Sequence, residues 1–236
     1  MKIAIIGFGK MGREVDSVAR EQGEEVVRVF DVQPAVKPEL LSDVDVCIEF
    51  STPDTVIGNI RAAIEAKKDI VVGTTGWGAH LPEIRELVQH SGLLHSANFS
   101  IGMNIFFRIV KRAAELVNNA KEYDPFIHEY HHRLKVDSPS GTALHLAKIL
   151  VDNIDRKESI LGRPPDGAIA PGALHVSSTR AGTFAGTHIV GFDSEADFME
   201  LRHVAKSRRG FAIGAIAAAR WLRGRKGVYT MDDVDL

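Results

Sequence analysis

A single cysteine in 236 residues leaves no partner for a disulfide, so the fold does not rest on covalent cross-links. Cys47 sits in the strand-like apolar run Val44-Asp45-Val46-Cys47-Ile48, which predicts a small core side chain and fits a reducing, cytoplasmic setting. Charge of neither sign is in excess: 29 Lys and Arg against 31 Asp and Glu give a net charge of -2. No global basic field is available to gather nucleic acid or an acidic membrane surface. Long hydrophobic runs are missing too, because the N-terminal apolar stretch Ile3 to Ile6 is too short for a signal-peptide core and is followed at once by glycines. No export or membrane segment is expected, and no internal repeat or low-complexity tract is found. What is present is an ordinary globular composition, 44% hydrophobic and 25% charged, long enough for two modest domains. The expected partners are small molecules and copies of the same chain.

Lys2 to Ile6 reads as a short strand, Gly7 to Gly12 as a turn, and Met11, Val15, Val18 and Ala19 as one face of a helix leading to a second strand at Glu25 to Phe30. Three more apolar runs, Val44 to Phe50, Ile70 to Gly73 and Leu93 to Ser96, alternate with helix-like segments opened by Ser51-Thr52-Pro53-Asp54 and by Gly78 to Pro82. Such alternation predicts a parallel sheet with helices on both faces. After Ile101 the pattern changes. A helix over Asn104 to Asn118 precedes strands at Phe126 to Tyr130, Leu174 to Thr179, Thr187 to Phe192 and Asp197 to Val204, which reads as a second, α+β domain. A last helix, Ile213 to Arg223, returns to the first domain. The expected division is residues 1–101 plus 208–236 for the first domain and 102–207 for the second.

Gly7-Phe8-Gly9-Lys10-Met11-Gly12 matches GxGxxG between a predicted strand and a helix, and Asp31 ends the next strand about twenty residues on. Glycines there permit a tight turn, close backbone approach to a pyrophosphate and close helix-to-strand contact, and the acidic residue accepts hydrogen bonds from ribose hydroxyls. The first domain is therefore expected to be a Rossmann-type, doubly wound α/β sheet that binds a dinucleotide. Asp31 is followed by Val32, Gln33 and Pro34, with no arginine to meet a 2′-phosphate, so NADH is favoured over NADPH, although Lys10 or Lys37 lies within reach. Gly73-Thr74-Thr75-Gly76 and Ala97-Asn98-Phe99-Ser100 stand at the carboxyl ends of later strands, the ligand-binding edge of such sheets, and together suggest a nicotinamide site.

The densest chemistry lies at His131-His132-Arg133-Leu134-Lys135-Val136-Asp137-Ser138-Pro139-Ser140-Gly141-Thr142. Ser138 and Pro139 suit the N-cap and first position of a helix with the apolar face Ala143, Leu146, Ala147, Leu150 and Ile154. Ser140, Gly141 and Thr142 then present N–H groups and hydroxyls to an anion. Lys135 adds a positive charge, and His131, four residues before it, is suited to proton exchange near neutral pH. A small dicarboxylate that must also be protonated fits this set. The string His128-Glu129-Tyr130-His131-His132 is a literal HExxH, but zinc chemistry needs it on a helix. Asp124-Pro125-Phe126-Ile127 leads in as an extended segment and Pro139 follows closely, so no metal is expected.

The run Glu129 to Ala143 closely resembles the signature of the dihydrodipicolinate reductase family. GFGKMGR at the start, IEFSTP at Ile48 to Pro53, GTTG, ANFSIGMN at Ala97 to Asn104 and TRAG at Thr179 to Gly182 extend the resemblance along the whole chain. It implies an enzyme of lysine and diaminopimelate synthesis that reduces a cyclic dicarboxylate imine with NAD(P)H and is a homotetramer through its second domain. Carried over by position, it implies His131 as proton donor and acceptor and Lys135 as a second donor. His132, Gly141 and Thr142 become carboxylate ligands. Gly7 to Gly12, Asp31, Gly73 to Thr75 and Ala97 to Ser100 become dinucleotide ligands, joined by Arg208 and Phe211 of KSRRGF. The chain is shorter than many members between Asp31 and Val44, on the adenine side, which bears on coenzyme choice. Two other readings stand beside this one, another NAD-dependent amino-acid dehydrogenase and a non-catalytic NAD(H)-binding redox sensor.

Overall fold

The computed structural model describes residues 1–235. β1 (Lys2–Ile6) runs through the glycine turn into α1 (Lys10–Glu21) and back along β2 (Glu25–Phe30). The same step repeats through β3 (Val46–Glu49), α2 (Val56–Glu65), β4 (Asp69–Val72), α3 (Leu81–Leu87) and β5 (Gly92–His95). Then come α4 (Ile101–Asn118), β6 (Asp124–His131), α5 (Gly141–Asn153) and the strands β7 (Ser159–Leu161), β8 (Ala173–Arg180), β9 (Thr187–Asp193) and β10 (Phe198–Val204). The chain closes with α6 (Arg209–Leu222) and β11 (Gly227–Tyr229). Contacts divide it into two compact units, Met1–Asn104 with the chain from Arg208 onward, and Ile105–Ser207. Among the described residues no helix is long and apolar enough to cross a membrane.

In the first unit six parallel strands lie in the order β11-β5-β4-β3-β1-β2, a doubly wound Rossmann-like sheet. The order reverses between β1 and β3, and the carboxyl ends of strands at such a reversal are where open sheets of this type take ligands. Both faces are covered, which is why the strands read as unbroken apolar runs. Ile3 and Ile5 pack on one face with Val15 and Val18 of α1 and Ala215, Ile216 and Ala219 of α6. Ala4 and Ile6 pack on the other with Val56 and Ile60 of α2 and Ile84 of α3. Cys47 is fully buried there, and burial pushes its thiol up to about 12, leaving it inert.

The second unit holds a mixed five-stranded sheet, β10-β9-β6-β8-β7. β6 pairs parallel with β8 and antiparallel with β9, so it is central. Its burial alternates strictly, with Pro125, Ile127, Glu129 and His131 turned inward. Under the sheet α5 buries Ala143, Leu146, Ala147 and Leu150, the face read from the sequence.

Several boundaries differ from expectation for local reasons. The N-cap of α5 is Ser140, not Ser138, because the Ser140 hydroxyl accepts the Ala143 N–H at 3.1 Å and so fixes the helix start at Gly141. α4 begins at Ile101 rather than Asn104, since the Ser100 hydroxyl accepts the Met103 N–H at 3.3 Å and the Ser100 carbonyl accepts the Asn104 N–H at 2.9 Å. α6 begins at Arg209, a turn before Ile213. The three-residue strands β7 and β11 were not foreseen, being too short to show a period.

Candidate active site

The three glycines of the first turn stand in three different surroundings. Gly7 has φ +88, in the left-handed region, and donates its N–H to the Phe30 carbonyl at 2.8 Å. A Cβ on Gly12 would overlap the Gly7 carbonyl oxygen, so α1 approaches β1 only because that position is bare. Gly9, the N-cap of α1, faces open space and has no side-chain cap, which leaves the first N–H groups of α1 directed at whatever binds above them. Lys10 is exposed beside it, Met11 is half-buried, and the Phe8 ring is covered by the Arg13 guanidinium at 4.7 Å. Asp31 stands exposed immediately after β2.

The other first-unit candidates gather at the same edge of the sheet. Gly73 follows β4, and a Cβ there would strike the Phe50 ring. Thr74 accepts the Trp77 indole N–H at 2.8 Å through its carbonyl, and Thr75 is exposed. Ala97 is exposed, and the Asn98 side-chain oxygen accepts the Ser100 N–H at 2.9 Å. Phe99 is a core residue, 1% exposed and edge-on to Phe50 at 6.0 Å, so its ring is not available to a nicotinamide. Gly210 lies 3.6 Å from the Ser100 hydroxyl, measured from where a Cβ would stand, which brings the first turn of α6, with exposed Arg208 and half-buried Phe211, beside Ala97 to Ser100.

In the second unit Glu129, fully buried on β6, is the centre of a polar network that the sequence reading passed over. Its Oε1 accepts the Ser140 N–H at 2.8 Å, the Ser178 hydroxyl at 2.8 Å and an Arg180 guanidinium N–H at 2.7 Å. Its Oε2 accepts the Ser140 hydroxyl and lies 3.2 Å from His131 Nδ1 and 3.5 Å from His188 Nε2. Burial pushes the Glu129 carboxyl up, but the side chains of His131, His188, Ser140 and Arg180 more than reverse this and hold it far below the usual carboxylate range. His188 is held below its ordinary value by burial, which outweighs the pull of Glu129. It stands edge-on to His131 with ring centres 5.2 Å apart. Glu129, His131 and His188 offer atoms within 4.8 Å of one another, a spacing that would suit a metal ion, but the Arg180 guanidinium already on that carboxylate opposes a second cation. The HExxH string lies on strand β6 and its exit, not on a helix.

Past β6 the chain turns back on itself, the Lys135 N–H bonding the His132 carbonyl at 3.1 Å. Lys135 Nζ reaches both Asp137 carboxylate oxygens, at 2.8 and 3.0 Å. Burial raises the Asp137 carboxyl, but Lys135 and the backbone N–H groups of Asp137 and Gly141 more than offset this and leave it lowered. Arg180 donates to the Asp137 carbonyl at 2.6 Å. One chain of contacts thus joins His131, Glu129, Arg180, Asp137, Lys135 and Gly141. Gly141 is exposed, and Thr142 and His132 are half-buried. Ser140, expected to face an anion, is instead 2% exposed with both its N–H and its hydroxyl committed to Glu129. The sequence signal for Glu129 was there: an acidic residue on the inward phase of an otherwise apolar strand needs a buried partner. His188 and Ser178 carry no comparable signal, and Arg180 stands out only within the TRAG motif with nothing to tie it to Glu129, because all three reach that carboxylate only through the pairing of β8 and β9 with β6.

A doubly wound parallel sheet with a glycine-cradled turn, and a separate mixed sheet carrying a carboxylate, histidine and lysine network, define a two-unit oxidoreductase. Residues 1–99 match the model of the dihydrodipicolinate reductase N-terminus and residues 102–234 that of its C-terminus. The chain belongs to the dihydrodipicolinate reductase family. It is 35% identical over 239 residues to the 4-hydroxy-tetrahydrodipicolinate reductase of Christiangramia forsetii, covering 99% of this chain and 97% of that one. To the 4-hydroxy-tetrahydrodipicolinate reductase of Archaeoglobus fulgidus it is 38% identical over 258 residues, covering 99% of each. The fold is that of a dipicolinate-bound dihydrodipicolinate reductase from Paenisporosarcina sp. TG-14, with TM-score 0.76, 22% identity, and 98% of this chain and 97% of that chain covered.

Proposed function

We propose that His131 is the proton donor, Lys135 a second donor and cationic partner, and His132, Gly141 and Thr142 the carboxylate ligands of a reductase site. The chain is a 4-hydroxy-tetrahydrodipicolinate reductase of lysine and diaminopimelate synthesis. What supports the residue roles is the single network that ties His131, Lys135 and the start of α5 to the buried Glu129 carboxylate. A nicotinamide dinucleotide fits the first unit, with Gly7, Gly9 and Gly12 shaped for a pyrophosphate, Asp31 for a ribose, and Gly73 to Thr75, Ala97 to Ser100, Arg208 and Phe211 at the nicotinamide end. When bound, that group supplies a hydride.

The protein's own contribution follows from the electron density that reduction leaves along the conjugated carbon–nitrogen system, which must be neutralised as it forms. His131 Nδ1 faces Glu129, so Nε2 is the atom that delivers the proton. Lys135 lends positive charge, and the N-terminus of α5 orients the substrate carboxylates. NADH is the preferred coenzyme on this reading, because the exposed Asp31 carboxylate repels a 2′-phosphate and no arginine follows it. A cytoplasmic homotetramer assembled through the second unit completes the proposal, supported by the exposed Phe198, Met199 and Val204 on edge strand β10.

The test is oxidation of NADH, and separately of NADPH, followed by loss of nicotinamide absorbance, with the imine formed in situ from pyruvate and aspartate semialdehyde by a synthase. Substrate-dependent oxidation with the larger kcat/KM for NADH is expected. A larger value for NADPH would overturn the coenzyme assignment, and no turnover with either would overturn the site.

A further inference from the structure

The two oxygens of Glu129 face different neighbours. Oε1 is taken up by groups that hold the second unit together: the backbone N–H of Ser140, the Ser178 hydroxyl on β8 and the Arg180 guanidinium. Oε2 faces the imidazoles, 3.2 Å from His131 Nδ1 and 3.5 Å from His188 Nε2, with the Ser140 hydroxyl beside it. His131 Nδ1 is buried, and Glu129 Oε2 at 3.2 Å is the charged group beside it, a close electrostatic contact and not an aligned hydrogen bond. Beside the other ring nitrogen stands Gly186: a Cβ there would lie 3.0 Å from His131 Nε2, so the bare glycine is what leaves that atom uncovered on this side. Gly186 has φ +145, in the region that favours glycine, and its carbonyl is bonded to the Ala205 N–H at 2.8 Å, so this bare position is fixed by backbone. His188 flanks the ring edge-on. Among the described residues the one charged contact the imidazole has is on its Nδ1 side, with Glu129.

We infer that Glu129 is the positioning residue for His131: its Oε2 holds the proton on Nδ1 and so keeps Nε2 as the atom that exchanges with substrate. Ser140, Ser178 and Arg180 fix the carboxylate so that this orientation is built in before substrate arrives. The logic is that of a carboxylate orienting a catalytic imidazole, where the tautomer rather than a second proton transfer is what the carboxylate supplies. The inference rests on the reading of His131 as proton donor.

Glu129→Gln separates the two functions. The amide oxygen can still accept from Ser140, Ser178 and Arg180, while the amide NH2 now faces His131 Nδ1 as a donor and favours the opposite tautomer. The expected result is a kcat lower by about 10²-fold with KM within about threefold of the parent. In the double variant Glu129→Gln with His131→Gln, kcat should be no lower than in His131→Gln alone, because a residue acting through His131 has nothing left to position. Equal and multiplicative losses in the two backgrounds would assign Glu129 a structural role and overturn the inference, as would an unchanged kcat in Glu129→Gln. Full kcat in His131→Gln would instead remove the proton-donor reading itself, whatever Glu129→Gln does. Should Glu129→Gln not fold, Ser178→Ala takes its place, because it removes one donor from Oε1 and leaves the charge. It is expected to lower kcat about threefold in the parent and not at all in His131→Gln. An equal fall in both backgrounds would overturn the inference.

Discussion

Asp137 engages, through its carboxylate, the Lys135 ammonium, proposed as a second donor and cationic partner, and the Gly141 N–H, proposed as a ligand of a substrate carboxylate. Substrate must displace it or share with it. The Asp137 side chain is 55% exposed, so the contact is worth no more than about 1 kcal/mol. Asp137→Asn should therefore lower the KM for the imine by up to about fivefold and leave kcat near the parent value, read from steady-state kinetics. A raised KM would show that Asp137 helps bind substrate. Thr142→Val should act the other way, raising KM by about fivefold to tenfold with little change in kcat, since the hydroxyl is assigned to binding and not to proton transfer. At this scale His131 and Lys135 were legible because titratable residues had collected in an unusually polar run. The contacts of Arg180 and His188 with Glu129 were not, because they depend on strand register and no local pattern encodes them.

At the scale of elements, the glycines of the first turn allow a clean contrast. Gly9 faces open space and Gly12 is pressed against the Gly7 carbonyl. Gly9→Ala is expected to leave the melting temperature almost unchanged and to weaken NADH binding about tenfold or more, by placing a methyl group where the pyrophosphate must approach. Gly12→Ala is expected to lower stability by about 1–3 kcal/mol, because α1 must move off β1 to make room. Calorimetric titration with NADH and thermal melting of both variants would check this, and equal loss of stability in the two would refute the division. The βα order and the central strands were readable from apolar runs because both faces of the first sheet are covered. Helix starts were read less well: the N-cap choice between Ser138 and Ser140 depends on which hydroxyl meets the Ala143 N–H, and that is decided by Glu129 drawing Ser140 inward.

For the molecule as a whole, four imidazoles set the acid limit. Burial is the first cause at His95, His128, His188 and His203, and all four are held below the ordinary 6.5. Between the folded values and 6.5 the unfolded chain binds more protons than the folded one, so this contribution to stability is complete above 6.5 and is lost as pH falls through the folded values. Glu129, held low, adds stability above the ordinary 4.5 that is lost only in stronger acid. The melting temperature should therefore begin to fall below pH 6.5, before the carboxylate range near 4.5 is reached. A melting temperature flat from pH 7 to 4.5 in a scanning-fluorimetry series would contradict the burial of these imidazoles.

The return of α6 and β11 to the first sheet has a consequence for synthesis. The strands β1 to β5 leave the ribosome early, yet one face of their sheet is covered by Ala212, Ala215, Ile216, Ala219 and Leu222, and β11 pairs with β5. Every strand of the second sheet has been made before the first of those residues emerges. The nascent chain therefore carries an apolar face covered only by α1 through most of its translation, and the half that begins first is finished last. Chaperones that hold exposed sheets have their longest opportunity at the N-terminal half, and truncations near Ser207 should expose it permanently.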